Sequence, residues 1–139
     1  MSWQITYRHR LTCDPKQPNM TLPVALTANN RTETTEAVID NGSTLCVFQR
    51  KIADWPGINV ERGIEAHVSA MGTIIQIYGH EVTLTLGELS LVLFVYFPAY
   101  QHIPRNLLGR QGFLQKFLVG LDDHGGYVYL GYHDDQDTN

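Results

Sequence analysis

The chain has 139 residues, of which 43% are apolar and 17% charged, a composition typical of a globular domain rather than a disordered chain. The formal net charge of −4, with both signs interspersed, argues against a nucleic-acid-binding surface. The longest apolar stretch, Leu89 to Tyr100, is too short to span a bilayer, and the N-terminus lacks the apolar segment of a signal peptide. We therefore expect one domain over residues 1–139, located in the cytoplasm, without nucleic-acid or membrane partners.

The first half of the chain carries short strand patterns separated by turn residues. A strand is predicted from Thr21 in "TLPVALTAN", followed by a polar turn or loop in "NRTETTE" and a second strand in "EAVID". After the "NGS" turn, "TLCVFQ" continues extended. The segment "RKIADWPG" predicts a single helical turn that Pro56 and Gly57 bring to an end.

The second half predicts two hairpins, a short strand, a helix and a final hairpin. Alternating apolar positions on both sides of Met71–Gly72 indicate the first hairpin, and a turn at Gly87–Glu88 indicates the second. The nearly continuous apolar run over 91–97 predicts a strand buried on both faces. "NLLGR" reads as a short strand that leads into a helix over Gln111–Phe117, and "LVGLDDHGGYVYLGYH" reads as the last hairpin. This pattern predicts a mostly β domain that is closed or folded over on itself.

The segment "IDNGST" has two interpretations. Asn-Gly is the strongest two-residue hairpin signal, so the segment on its own is typical of a turn in which Asp40 merely ends a strand. Its context adds a second interpretation, because Val38 and Ile39 deliver Asp40 at the end of an apolar strand and Ser43 follows Gly42. Far downstream, "NLLGRQGF" places two apolar residues and a glycine before the predicted helix.

Together, "IDNGST", "SAMGT" and "NLLGR" resemble, in that order, the single-lobe aspartic proteases of the retropepsin-like fold. The resemblance covers about residues 22–132 and implies a closed β-barrel with one short C-terminal helix. It implies that the first motif carries a catalytic carboxylate, that the second is the tip of a flap hairpin, and that the third crosses beneath the first.

By this resemblance the catalytic loop is Asp40, Asn41 and Gly42, and the protein is an aspartic endopeptidase. Such chemistry requires two carboxylates that share one proton on either side of a water molecule. The chain holds one such motif, so the resemblance implies a homodimer in which each copy supplies Asp40. An extended peptide would then bind beneath the flap. The residues implied to contact it are Ser43, Met71, Gly72, Thr73, His102, Ile103, Pro104 and Leu107.

The motif departs from the family at one position. The family has Thr or Ser after the aspartate, and this chain has Asn41. An alternative hypothesis is therefore a catalytically weak or inactive module that binds peptides or dimerises with the same fold. A third is an unrelated small β-barrel in which "DNG" is only a hairpin turn.

Other catalytic or metal chemistry is less well supported. No histidine or cysteine spacing matches a metal signature, so neither a metal nor another cofactor is expected. Cys13 and Cys46 are predicted to be free thiols, and the apolar strand pattern around Cys46 predicts a small core residue rather than a nucleophile.

Overall fold

A computed structural model describes residues 1–70 and 72–136, and the protein is mostly β, as predicted. The described residues form nine strands: β1 His9–Thr12, β2 Thr21–Ala28, β3 Arg31–Ile39, β4 Ile64–Ala70, β5 Thr73–Leu86, β6 Leu89–Pro98, β7 Asn106–Leu108, β8 Leu118–Asp122 and β9 Tyr127–Gly131. They also form four short 3-10 helices: η1 Arg50–Ala53, η2 Val60–Arg62, η3 Leu114–Lys116 and η4 His133–Asp135.

The strands form two sheets. The smaller sheet is antiparallel with the order β1-β9-β8. The larger sheet has the order β4-β5-β2-β3-β7. The long strand β5 pairs with β4 and β2 along one edge and with β6 along the other. All of its pairings are antiparallel except one, because β7 runs parallel to β3. This parallel pair positions Asp40, which directly follows β3.

Residues 31–36 of the polar segment "NRTETTE" lie in β3, so the prediction of a polar turn or loop is correct only for Asn30. The turn consists of Asn29 and Asn30 alone, whose φ angles of 53° and 59° suit a two-residue hairpin. From Arg31 onward the threonines favour an extended chain, and Thr27 and Thr32 form a cross-strand hydroxyl pair at 2.8 Å. The polar composition reflects a strand whose first residues are largely exposed to solvent.

The helix predicted over Gln111–Phe117 does not form. Residues 110–113 make a turn, and only the 3-10 helix η3 follows it. Gly112 explains the difference, because its φ of +93° is incompatible with a right-handed helix at that point. The helical turn predicted in "RKIADWPG" is confirmed as η1.

No closed barrel is found among the described residues. The strand ladder of the larger sheet remains open, and the segment predicted to continue extended after Asp40 is mostly turn and irregular structure. Val47 is the exception, since it forms single bridges to Tyr96 of β6 and to Leu107 of β7. One residue with isolated bridges does not amount to the continuous strand that closure requires.

The prediction that β6 is buried on both faces is also wrong. Leu93, Val95 and Phe97 are buried, whereas the alternate positions Val92 and Phe94 are 52% and 38% exposed. The β5–β6 hairpin therefore packs one face against the core and leaves an apolar outer face open to solvent.

The main core joins the two sheets. Leu26 and Leu84 of the larger sheet belong to the same buried cluster as Val128 and Leu130 of the smaller one. A second, smaller cluster consists of Val47, Ile75 and Ile77 and lies close to Asp40. Cys46 is fully buried in the main core and, like Cys13, is a free thiol, as predicted.

Candidate active site

Asp40 lies at the carboxyl end of β3 and is fixed by main-chain hydrogen bonds. Its N–H donates to the carbonyl of Leu108 at 3.0 Å, which extends the parallel β3–β7 pairing by one residue. Its carbonyl accepts from the N–H of Ser43 at 3.2 Å, and its Oδ1 accepts from the N–H of Gly42 at 2.9 Å. The turn thus orients a half-buried carboxylate.

The segment after β7 supports the Asp40 loop from below. The N–H of Arg110 donates to Ser43 O at 2.9 Å, and that of Gln111 donates to Thr44 O at 2.8 Å. Gly109 allows this close approach, because a Cβ atom there would overlap the carbonyl oxygen of Leu45 and lie 2.7 Å from that of Ser43. "IDNGST" and "NLLGR" therefore come together, as the family resemblance implies.

The hairpin β4–β5 lies across from this loop and encloses an open groove of about 610 Å³. Its apolar walls come from Val47 of the small cluster and from the hairpin. Its polar groups are the Asp40 carboxylate, the His67 imidazole, the Gln111 amide and several hydroxyl groups. The groove is lined by Asp40, Gly42, Ser43, Thr44, Leu45, Val47, His67, Val68, Ser69, Ile75, Ile103, Leu107 and Gln111.

Five of the predicted site residues line this groove, namely Asp40, Gly42, Ser43, Ile103 and Leu107. The other predicted residues lie elsewhere or are not described. Asn41, Gly72, Thr73, His102 and Pro104 are exposed and absent from the groove lining, and Pro104 lines a different cavity beside Asn106. Met71 lies outside the described residues.

Sequence reasoning missed the groove residues contributed by the hairpin. His67, Val68, Ser69 and Ile75 line the groove, whereas the resemblance placed the contacts at the hairpin tip. The apolar alternation that located the hairpin contains the signal for two of them, because Val68 and Ile75 pair directly across it. Which face of the hairpin meets Asp40 depends on tertiary structure.

The hydroxyl of Ser43 does not donate to the Asp40 carboxylate. It donates to the carbonyl of Leu45 at 2.7 Å. Within residues 1–70 and 72–136, the only hydrogen bond to the Asp40 carboxylate comes from Gly42.

Asn106 holds the loop before β7 in place although it is only 3% exposed. Its amide donates to the Thr35 hydroxyl at 3.1 Å and to the Glu36 carbonyl at 2.8 Å, and its Oδ1 accepts from the N–H of Gln49 at 2.7 Å. The Gln49 side chain in turn donates to Ile103 O at 3.0 Å. These bonds fix the backbone of Ile103 at one wall of the groove.

The chemistry of the groove centres on one carboxylate. Cys46 lies behind the loop with Sγ 3.7 Å from Gln111 O, and burial raises the pKa of this thiol to about 11, so it is neither ionised nor accessible as a nucleophile. In the part of the chain that the structure describes, no three histidine, cysteine or carboxylate side chains converge to hold a metal ion. The described helices are too short to cross a membrane.

Comparisons with known proteins give no assignment. No known protein family and no curated protein matches the chain. The function must therefore be inferred from the groove and from Asp40.

Proposed function

We propose that the protein is an aspartic endopeptidase that acts as a homodimer, with Asp40 of each copy forming the catalytic pair. The observation that carries this proposal is the position of Asp40: a carboxylate fixed by the Gly42 N–H at one wall of an apolar groove that the β4–β5 hairpin encloses. The retropepsin-like order of motifs supports the same assignment.

The dimer follows from the chemistry. Two carboxylates about 3 Å apart share one proton, so the ionised member can take a proton from water while the other donates to the scissile carbonyl. Among the residues that the structure describes, Asp40 is the one carboxylate that lines the groove, and His67 is the other titratable group there. A twofold axis beside the Asp40 loop would bring the second carboxylate to the same water molecule.

The groove suits an extended peptide. Apolar side chains at Leu45, Val68 and Ile103 favour apolar residues of the substrate, and main-chain groups of the loop and hairpin are available for strand-like pairing. The hairpin would also exclude water when the substrate is bound.

The test compares the wild type with Asp40→Asn on an unfolded protein and on apolar peptides, over about pH 4 to 7, where a shared proton supports catalysis. Asp123→Asn is the matched control, because Asp123 is an exposed aspartate in the β8–β9 turn, away from the groove. We expect cleavage to be lost in Asp40→Asn and kept in Asp123→Asn, with both variants dimeric in sedimentation. Equal cleavage by wild type and Asp40→Asn would refute the proposal.

The second candidate function is a peptide-binding or dimerisation module without efficient catalysis. Asn41 in the loop and the orientation of the Ser43 hydroxyl towards Leu45 both favour it, because neither side chain assists Asp40. Asn41→Thr separates the two functions. A large gain in cleavage supports a weakened enzyme, whereas peptide binding without cleavage in either form supports the module.

A further inference from the structure

The outer face of β6 carries an apolar strip that the core leaves only partly covered. The strip consists of Val92, Phe94 and Tyr96, which alternate with the buried positions of the strand. Val92 and Phe94 are 52% and 38% exposed, and the rings of Phe94 and Tyr96 lie 6.3 Å apart. Neighbouring exposed apolar residues on one strand indicate a contact surface rather than scattered surface residues.

The strip lines a second cavity of about 350 Å³ that adjoins the Asp40 groove. Leu45 and Gln111 line both cavities, so they mark the boundary between the two. Tyr96 also packs against the cluster of Val47, Ile75 and Ile77, of which the first two line the groove. The second cavity is lined by Leu45, Glu81, Val92, Leu93, Phe94, Tyr96, Gln111, Gly112 and Lys116.

The edge of β6 that faces away from β5 is already partly occupied beside the strip. Tyr96 uses this edge, donating its N–H to Cys46 O and accepting from the N–H of Phe48, both at 2.9 Å. Main-chain groups alternate between the two edges of a strand, so those of Phe94 point the same way. Among the described residues no main-chain group pairs with Phe94 on this edge.

Charges around the cavity favour an uncharged occupant. Glu81 and Lys116 contribute opposite charges to its lining, and the Lys116 ammonium already donates to the carbonyl of Val92 at 2.8 Å. The remaining surface is mainly apolar, so an apolar segment gains most from binding there.

We propose that the strip is a distal subsite, which binds an apolar side chain of the same extended peptide that occupies the Asp40 groove. This inference rests on the proposed peptide-binding role of the groove and extends it to substrates that reach past Leu45 and Gln111. The peptide would place an apolar side chain over the strip.

The experiment measures binding of two fluorescent peptides by anisotropy, in an Asp40→Asn background so that no cleavage is required. One peptide spans only the groove, and the other continues with apolar residues at both ends. The test variant is Phe94→Ser, and Leu121→Ser is the control because Leu121 is an exposed strand residue (57%) that lines neither cavity. Sedimentation of each variant reports its oligomeric state.

We expect Phe94→Ser to weaken binding of the long peptide roughly tenfold, as suits the loss of a partly buried aromatic contact, and to leave the short peptide unchanged. Leu121→Ser should bind both peptides as the parent does. Equal effects on both peptides, no effect on either, or no binding to any form would overturn the subsite. A Phe94→Ser protein that loses its dimer would also overturn it and make the strip an interface between copies. If wild type and Asp40→Asn cleave equally little but Phe94→Ser still weakens binding of the long peptide alone, the catalytic proposal fails and the subsite is supported.

Discussion

Gly109→Ala tests whether close packing beneath Asp40 holds the candidate site together. The added Cβ would overlap Leu45 O and lie 2.7 Å from Ser43 O, and both atoms belong to the main chain. An ordinary contact needs about 3.4 Å or more, so Ser43 O must retreat by about 0.7 Å and Leu45 O by more. That movement would stretch the Arg110–Ser43 and Gln111–Thr44 hydrogen bonds, now 2.9 and 2.8 Å, beyond useful length.

Two weakened hydrogen bonds at about 1 kcal/mol each, plus about 1 kcal/mol of packing strain, predict a loss of about 3 kcal/mol in the free energy of unfolding. Urea denaturation followed by far-UV circular dichroism measures this loss, at one protein concentration because association would shift the transition. Gly125→Ala is the control, since its Cβ meets only side-chain atoms of Asp122 and Tyr127, and neither glycine has a positive φ. If the two variants differ by less than about 1 kcal/mol, Gly109 does not support the loop in this way.

Two further predictions concern buried polar groups. Burial raises the pKa of Cys46 from 9.0 to about 11, so the folded state favours the protonated thiol. This preference contributes about 2–3 kcal/mol to the free energy of unfolding. The contribution is complete below pH 9 and is lost as the pH rises to about 11. The free energy of unfolding should therefore fall over this range less steeply in Cys46→Ala, and identical profiles would contradict the reasoning. Asn106→Leu should lower the free energy of unfolding by about 3 kcal/mol, because the N–H of Gln49 and the Glu36 carbonyl lose their partner. Asn59→Leu, at an exposed asparagine, should change it little in the same urea titration, and equal effects would contradict the role of Asn106.

Local patterns predicted the elements that depend on local chemistry. The turn at Gly87–Glu88 and the hairpin around Gly72 were predictable because alternating apolar residues flank a glycine in each, without knowledge of the rest of the chain. In the structure both glycines have a positive φ, as a tight turn requires. The meeting of the Asp40 loop with Gly109 was predictable only through the family resemblance, because no local pattern links residues so far apart.

The wrong predictions concern features that depend on how distant parts of the chain pack together. An apolar run such as 91–97 specifies a strand but not how many of its faces the molecule covers, so the exposure of Phe94 could not be read from it. Gln111–Phe117 has the residues of a short helix, yet the positive φ at Gly112 and the bonds from the Gln111 segment to the Asp40 loop impose a turn. The groove residues His67 and Ser69 depend on how the hairpin folds over the loop, which no period in the sequence encodes.

Because β3 pairs with the distant strand β7, the candidate site forms only after β7 has been synthesised. Val38 pairs with Leu107, so nearly seventy residues must be synthesised between the two partners before the Asp40 turn gains its support. Contacts this distant in sequence form late, because closing a long loop costs entropy before any pairing compensates it. On the ribosome, β2 and β3 can pair early, but the carboxylate is not held in its folded position until residues 106–111 have emerged. A nascent chain that has exposed Asp40 but not residues 106–111 therefore has no assembled groove.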